Sequence, residues 1–312
     1  GEEPLPNGGS CLLGAINLSE FIEDPFTVDA SINTDKLRQK VANAVYFLND
    51  VLDEGLPLHP LKEQRESVRD WRQIGLGIMG LGDAFIKLGV RYGSEESVKL
   101  AREISNRILN YALQTSAKIA EYKRTFPKYE KEKTLNSPFL QHNAWEDTFN
   151  MIAEHGLRNS QLLTVAPTGS TSTLLGVSGG IEPIFDVSYE RKTESINDEE
   201  TTYKVYTPII KELMEAKGIE KEENLPDYVV TAHDIPYKER VDVQAGFQDC
   251  IDASISSTVN LPQDSTVEDV EDLYKYAYEK GCKGITVYRE GCKRSGILTS
   301  GNAEEEEELE RG

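Results

Sequence analysis

Apolar residues recur every three or four positions along several stretches of this 312-residue chain and gather in short runs along others. Over 35–53 the set Leu37, Val41, Ala44, Val45, Leu48, Val51 and Leu52 forms one helical stripe. Val98, Ala101, Ile104, Ile108 and Ala112 do the same within a longer predicted helix over 94–124. Pro57 and Pro60 break the first pattern, and Pro127 bounds the second. Residues 12–21 read as an extended segment followed by a loop, 74–89 as a glycine-rich segment, and 128–160 as a polar region with helical patches around 145–152. From Leu162 the rhythm changes. Strands are predicted over 162–166, 184–190, 202–206, 228–232, 255–261 and 285–288, and helices over 208–217, 237–247 and 267–280. Strand alternating with helix predicts an α/β architecture, and no internal repeat interrupts it.

Composition narrows the function classes. Hydrophobic residues make up 38% of the chain, as expected of a globular protein, and the longest apolar run, around 74–81, is too short to span a membrane. No charged-then-apolar leader opens the sequence, which begins Gly1-Glu2-Glu3. The formal charge of −20 disfavours binding to a nucleic-acid backbone, while a local nest of amides can still hold the phosphate of a small nucleotide. Four scattered cysteines, Cys11, Cys250, Cys282 and Cys292, do not make a secreted disulfide framework, so a reducing cytoplasm is expected.

The most informative stretch is Ala166-Pro167-Thr168-Gly169-Ser170-Thr171-Ser172, continuing to Val177. An apolar strand over 162–166 is stopped by Pro167, and hydroxyl side chains then surround one glycine where a helix can open at Ser170 or Thr171. Such a turn aims backbone N–H groups and hydroxyls at one point, which suits phosphate oxygens. An ordinary Ser/Thr cap has the same local composition.

Other candidates weigh less. Gly75-Leu76-Gly77-Ile78-Met79-Gly80 fits the dinucleotide pattern G-x-G-x-x-G, but the charged stretch 67–73 before it offers no strand and no βαβ unit surrounds it. Small residues in a closely packed helix are the better account. Cys282 and Cys292 have Lys283, Arg289 and Lys293 nearby, which can lower a thiol pKa, and no second pair or histidine that would complete a zinc site. Cys250 reads as packed and structural. His233, at a predicted strand end, reads as a capping residue.

Taken together with the 166–177 stretch, four segments carry a resemblance: Gly1-Glu2-Glu3-Pro4-Leu5-Pro6, Gly8-Gly9-Ser10-Cys11-Leu12-Leu13-Gly14, Ser178-Gly179-Gly180-Ile181-Glu182-Pro183-Ile184-Phe185 and Gly281-Cys282-Lys283-Gly284-Ile285-Thr286-Val287-Tyr288-Arg289. In this order they resemble the catalytic subunit of ribonucleotide reductase, over the chain from Gly1 to about Leu298. The likeness is closest to the adenosylcobalamin-dependent (class II) branch. The branch using a di-metal radical subunit carries two adjacent tyrosines where this chain reads Val287-Tyr288, and the wording of 185–191 and 230–236 also favours the cobalamin enzymes.

The resemblance implies an α/β fold, part of the ten-stranded α/β barrel of the ribonucleotide reductase and glycyl radical type, with added helices. It places the carboxyl-terminal half of that catalytic domain over 1–298, followed by an acidic disordered tail over 299–312, and sets the glycine-rich 74–89 segment in a helical region. It implies replacement of the ribose 2′-hydroxyl by hydrogen in a ribonucleoside di- or triphosphate through a thiyl radical, with adenosylcobalamin as cofactor. Glu2 would be the general base, Cys11 one of two reducing cysteines, and Ser10 with Pro167, Thr168, Gly169, Ser170, Thr171 and Ser172 the substrate-binding set. The implied partners are the amino-terminal half, which carries the radical cysteine of an Asn-Pro-Cys-Gly-Glu loop and the second redox cysteine, and a thioredoxin-like reductant. The complete enzyme would be a homodimer. The chain alone is expected to be inactive, and no terminal cysteine pair follows Cys292. A catalytically silent nucleotide-binding or assembly module on the same fold is the alternative.

Overall fold

Residues 1–10, 12–194 and 200–292 are described by the computed structural model of the chain. The Cys11 thiol and the acidic tail predicted over 299–312 lie outside the described residues. The chain enters through β1 (Leu13–Asn17), turns through a small antiparallel pair, β2 (Ile22–Glu23) and β3 (Ser31–Ile32), and enters α1 (Thr34–Gly55). Asn33 starts that helix by accepting a hydrogen bond from the Lys36 amide at 2.8 Å. Leu37, Val41, Val45, Leu48 and Leu52 form its buried stripe, as their spacing predicts. α2 (Lys62–Trp71), β4 (Gly75–Met79), α3 (Leu81–Leu88) and α4 (Glu95–Lys123) follow. α4 is capped by Ser94 and ends where Arg124 adopts φ 69°, ahead of Pro127.

The polar region holds α5 (Lys131–Leu135), α6 (Pro138–Asn143) and α7 (Glu146–His155), of which the sequence pattern marked only the last. Next come α8 (Gly169–Leu175), an antiparallel pair β5 (Ser188–Glu194) and β6 (Glu200–Tyr206), and α9 (Pro208–Lys217). α10 (Tyr237–Gln248), β7 (Thr258–Leu261), α11 (Val267–Glu279) and β8 (Thr286–Arg289) complete the described elements.

Parallel pairings between distant segments build the frame. β1 pairs with β4, Leu13 opposite Gly75 and Asn17 opposite Met79. Leu76 bridges Leu163, Val165 bridges Ile255, and β7 pairs with β8, Thr258 opposite Thr286. The described residues therefore set parallel extended segments side by side in the order β1, β4, 162–165, 255–261, β8. Ile16, Leu76, Ile78, Leu163, Val165 and Ile255 join the stripes of α1 and α4 in one core. The result is a mixed α/β fold; a closed ten-stranded barrel is not formed by the described residues.

Two expectations are corrected. Gly75–Met79 is a fully buried strand, not a helix. Its glycines answer to close approach: a Cβ on Gly77 would stand 2.3 Å from the Thr164 carbonyl oxygen. The predicted strand over 228–232 does not form, because its link to the segment before β5 is a single backbone bond, Ala232 N–H to Ile184 O at 2.9 Å.

Candidate active site

Three parallel segments carry the first residues of the chain across their surface. The Glu2 carbonyl accepts from the Ser254 amide at 3.1 Å and from the Thr164 hydroxyl at 2.6 Å. The Gly1 carbonyl lies so near Gly284 that a Cβ there would be 3.2 Å away. Glu3 Oε2 accepts from Gln161 Nε2 at 2.7 Å, and Gln161 Oε1 in turn accepts from Gln73 at 3.2 Å. Sequence reasoning found Glu2 but not Thr164, Ser254 or Gln161, whose types carry no signal apart from the pairing that brings them together.

The two neighbouring carboxylates are tuned apart. Burial pushes Glu2 upward, but the hydrogen bond from the chain's own terminal ammonium, 2.9 Å away, and a bond from its own backbone outweigh it, so its pKa falls below the ordinary value. Burial pushes Glu3 upward, and the charges of Asp252 and Glu2 add to this against the Gln161 hydrogen bond, so its pKa is raised.

The segment that anchors Glu2 through Thr164 becomes the hydroxyl-rich loop four residues later. At about 3.3 Å per residue, Thr168 is within about 13 Å of that anchor. Pro167, Gly169, Ser170 and Thr171 are exposed, and Thr168 is half-buried. The amides of the first turn of α8 have no partner within the helix. A Cβ on Gly169 would meet nothing within 4 Å. Ser172 differs from the rest: it is 4% exposed and its hydroxyl donates to the Gly169 carbonyl at 3.3 Å, so it supports the turn from inside. Ser10 is half-buried, next to the undescribed Cys11.

The remaining candidates separate from this site. Gly80, the last glycine of the dinucleotide pattern, donates its amide to Ser178 O at 2.7 Å, and the Gly82 amide donates to Ser178 Oγ at 3.1 Å. Protein groups thus occupy the start of α3, where a dinucleotide phosphate would have to sit. The Cys282 thiol is not activated, contrary to expectation: burial pushes it up to about 12, with Asp242 and Asp249 adding to the effect. Lys283 cannot help, since its ammonium donates to the carbonyls of Ile251, Asp252 and Ala253 at 3.1, 2.9 and 2.7 Å. Cys250 is buried, and its sulfur donates to Asn143 Oδ1 at 3.4 Å. His233 Nδ1 lies 3.3 Å from Glu290, with its ring against Phe185. Among the described residues no three metal-ligating side chains converge, and no helix is long and apolar enough to cross a membrane. Two surface hollows of about 360 and 330 Å³ lie along α4 and share no residue with Glu2, Ser10 or 167–172.

Comparison with known proteins identifies the family. The family described as "Ribonucleotide reductase, barrel domain" matches residues 1–288. The chain is 33% identical to a "Vitamin B12-dependent ribonucleoside-diphosphate reductase" of Thermoplasma acidophilum, over 97% of this chain and 38% of that protein. A protein of the same name from Mycobacterium tuberculosis is also 33% identical, over 96% of this chain and 42% of its own length. A "Ribonucleoside-diphosphate reductase subunit alpha" of Chlamydia muridarum is 28% identical over 88% of this chain and 29% of its own. The chain thus spans about two-fifths of the first two relatives. With the family matched over nearly all of the described residues, and with parallel strands carrying both Glu2 and the hydroxyl loop, the chain belongs to the ribonucleotide reductase barrel-domain family.

Proposed function

We propose that this chain supplies one wall of a ribonucleotide reductase active site, acting on a ribonucleoside di- or triphosphate. One observation carries the reading: the backbone of Glu2 is fixed to Thr164, on the segment that continues into the 167–172 loop. A base and a phosphate anchor set on one strand can address the two ends of a single nucleotide. Pro167, Thr168, Gly169, Ser170 and Thr171, buttressed by Ser172, hold the phosphates, with Ser10 alongside the ribose. Gly169 supports this, because nothing in the protein occupies the space that a side chain there would take. Glu2 is the general base that accepts the 3′-hydroxyl proton. Cys11 serves as half of a dithiol. The two thiols supply two electrons and two protons as they become a disulfide: one proton leaves with the 2′-hydroxyl as water, a hydrogen takes its place on the 2′ carbon, and the disulfide is later reduced by thioredoxin-like exchange.

Adenosylcobalamin is the proposed cofactor, on the sequence resemblance and on the vitamin B12 dependence named for its relatives. Its cobalt is held by the corrin ring, so it asks the chain for access more than for ligands. When bound, the cofactor supplies the radical that a cysteine preceding Gly1 would receive. The complete enzyme is read as a cytoplasmic homodimer.

The test is reassembly. Mixed with an amino-terminal half ending in Asn-Pro-Cys, the chain should form deoxynucleotide, and Glu2→Gln or Cys11→Ser should lower the rate by about 10²–10⁴ with little loss of nucleotide binding. Deoxynucleotide formation by the chain alone contradicts the proposal. Indifference to both substitutions favours a silent nucleotide-binding module.

A further inference from the structure

Asp83 does not touch the hydroxyl loop, yet a short chain of contacts links the two. Its Oδ2 accepts from the Ser178 amide at 2.7 Å. The Ser178 carbonyl and hydroxyl take the Gly80 and Gly82 amides, so the first turn of α3 holds this residue at three points. Two residues on, the Gly180 amide donates to Thr168 Oγ1 at 2.9 Å. Gly180 can lie there because it lacks a side chain: its φ is 48°, and a Cβ would be 2.6 Å from the Ala166 carbonyl oxygen.

Thr168 needs holding. It adopts φ 53°, a left-handed conformation that a β-branched residue avoids. Such a residue persists only when its surroundings over-determine it. Here the conformation reverses the chain between the 162–165 segment and α8, and so sets the direction of the first-turn amides. The hydrogen bond from Gly180 uses Thr168 Oγ1 as acceptor and leaves its proton available to donate.

We propose that Asp83 is a positioning residue for the phosphate loop, holding Thr168 in its left-handed conformation through Ser178 and Gly180. The inference rests on the reading of 167–172 as that loop. Asp83 is 1% exposed, and burial pushes its carboxyl above the ordinary range against the bonds from Ser178. A buried acid at this place brings little stability of its own, and its geometric product is the fixed Ser178 amide.

The test compares Asp83→Ala and Asp83→Asn in the full chain, alone and joined to an amino-terminal half. The readouts are amide exchange at Gly180 and binding of cytidine diphosphate and of pyrophosphate. Asp83→Ala should speed Gly180 exchange and weaken both ligands, each by roughly tenfold or more, while the amides of α4 keep their protection. Asp83→Asn retains an acceptor for the Ser178 amide and should stay within about threefold of the wild type. Ile104→Val, a core change far from the loop, should lower the melting temperature without moving ligand affinity. If Asp83→Ala does not fold, Asp83→Ser, which is too short to reach Ser178, reads the same contrast. A wild type that binds both ligands, with an alanine variant that binds them equally and keeps Gly180 protected, overturns this inference alone. A wild type that binds neither ligand in either state removes the phosphate-loop reading and the inference together.

Discussion

Gly77→Ala should be severely destabilising, because the atom it adds points at a backbone that cannot turn aside. A Cβ at this place would stand 2.3 Å from the Thr164 carbonyl oxygen and 3.3 Å from the Val165 Cα. Real Cβ atoms essentially never come within 3.0 Å of such neighbours, so β4 and the 162–165 segment would have to part by about 0.7 Å. That movement strains the ladder joining them, in which the Leu76 amide donates to Leu162 O at 2.8 Å and the Thr164 amide to Leu76 O at 3.1 Å. Overpacking costs about 1–3 kcal/mol and each weakened buried bond about 1 kcal/mol more, which gives about 3–5 kcal/mol in all. Gly75→Ala supplies the contrast. Its Cβ would meet side-chain atoms, Thr164 Cγ2 at 2.5 Å and Glu3 Oε1 at 2.7 Å. Thr164→Ser removes the offending methyl and keeps the hydroxyl that donates to Glu2. In that background Gly75→Ala should recover about 1 kcal/mol and Gly77→Ala nothing. Urea midpoints by circular dichroism, compared at constant slope, measure both cycles. The reasoning fails if Gly77→Ala lies within about 0.5 kcal/mol of the wild type, or if Thr164→Ser relieves both variants equally.

Three further outcomes are expected. Gly169→Val should leave the urea midpoint nearly unchanged, since its side chain enters open space, while calorimetry shows nucleotide affinity falling by about 1–3 kcal/mol. The Cys282 thiol, raised from 9.0 to about 12, should react with an aromatic disulfide reagent at about pH 8 roughly 10³-fold more slowly than an unperturbed thiol, and mass spectrometry of the labelled chain would expose any faster reaction. Because the folded pKa of Glu3 is raised, its stabilising contribution is complete below the unfolded value near 4.5 and is lost as pH rises through the folded value. Glu3→Gln should therefore gain on the wild type in melting temperature between about pH 4 and about pH 7, and an unchanged difference across that range counts against the assignment.

The long amphipathic helices were legible because each buries a single stripe: the spacing of Leu37, Val41, Val45 and Leu48 in α1 needs no knowledge of the partner. β4 was not legible. Buried on both faces and rich in glycine, it has no period to read, and the reason for its glycines lies in Thr164, far away in the sequence. The short α5 and α6 follow from local turns with weak stripes. At the site, the hydroxyl loop could be located from its residue types, but neither the left-handed Thr168 nor the inward-turned Ser172 could. Glu2 was singled out through family resemblance, since a carboxylate near a chain end carries no chemical signal alone. Asp83 follows the apolar run over 74–81 and is buried, but its bond to Ser178 is non-local and nothing in the sequence pattern pointed to it.

The parallel frame also has a history in time. Ile255, which completes the bridge to Val165, emerges about 240 residues after β1. At about 5–20 residues per second, roughly 10–50 s pass on the ribosome between β1 and that part of the frame. For the roughly 3–12 s before β4, about 60 residues on, can pair with it, the edge of β1 and Leu13, still 44% exposed in the folded chain, are available to any other extended segment nearby. The pairings that later hold Glu2 in place are non-local, so they form slowly and late. Glu2, the base of the proposed site, is therefore made long before Thr164 and Ser254, the partners that fix it.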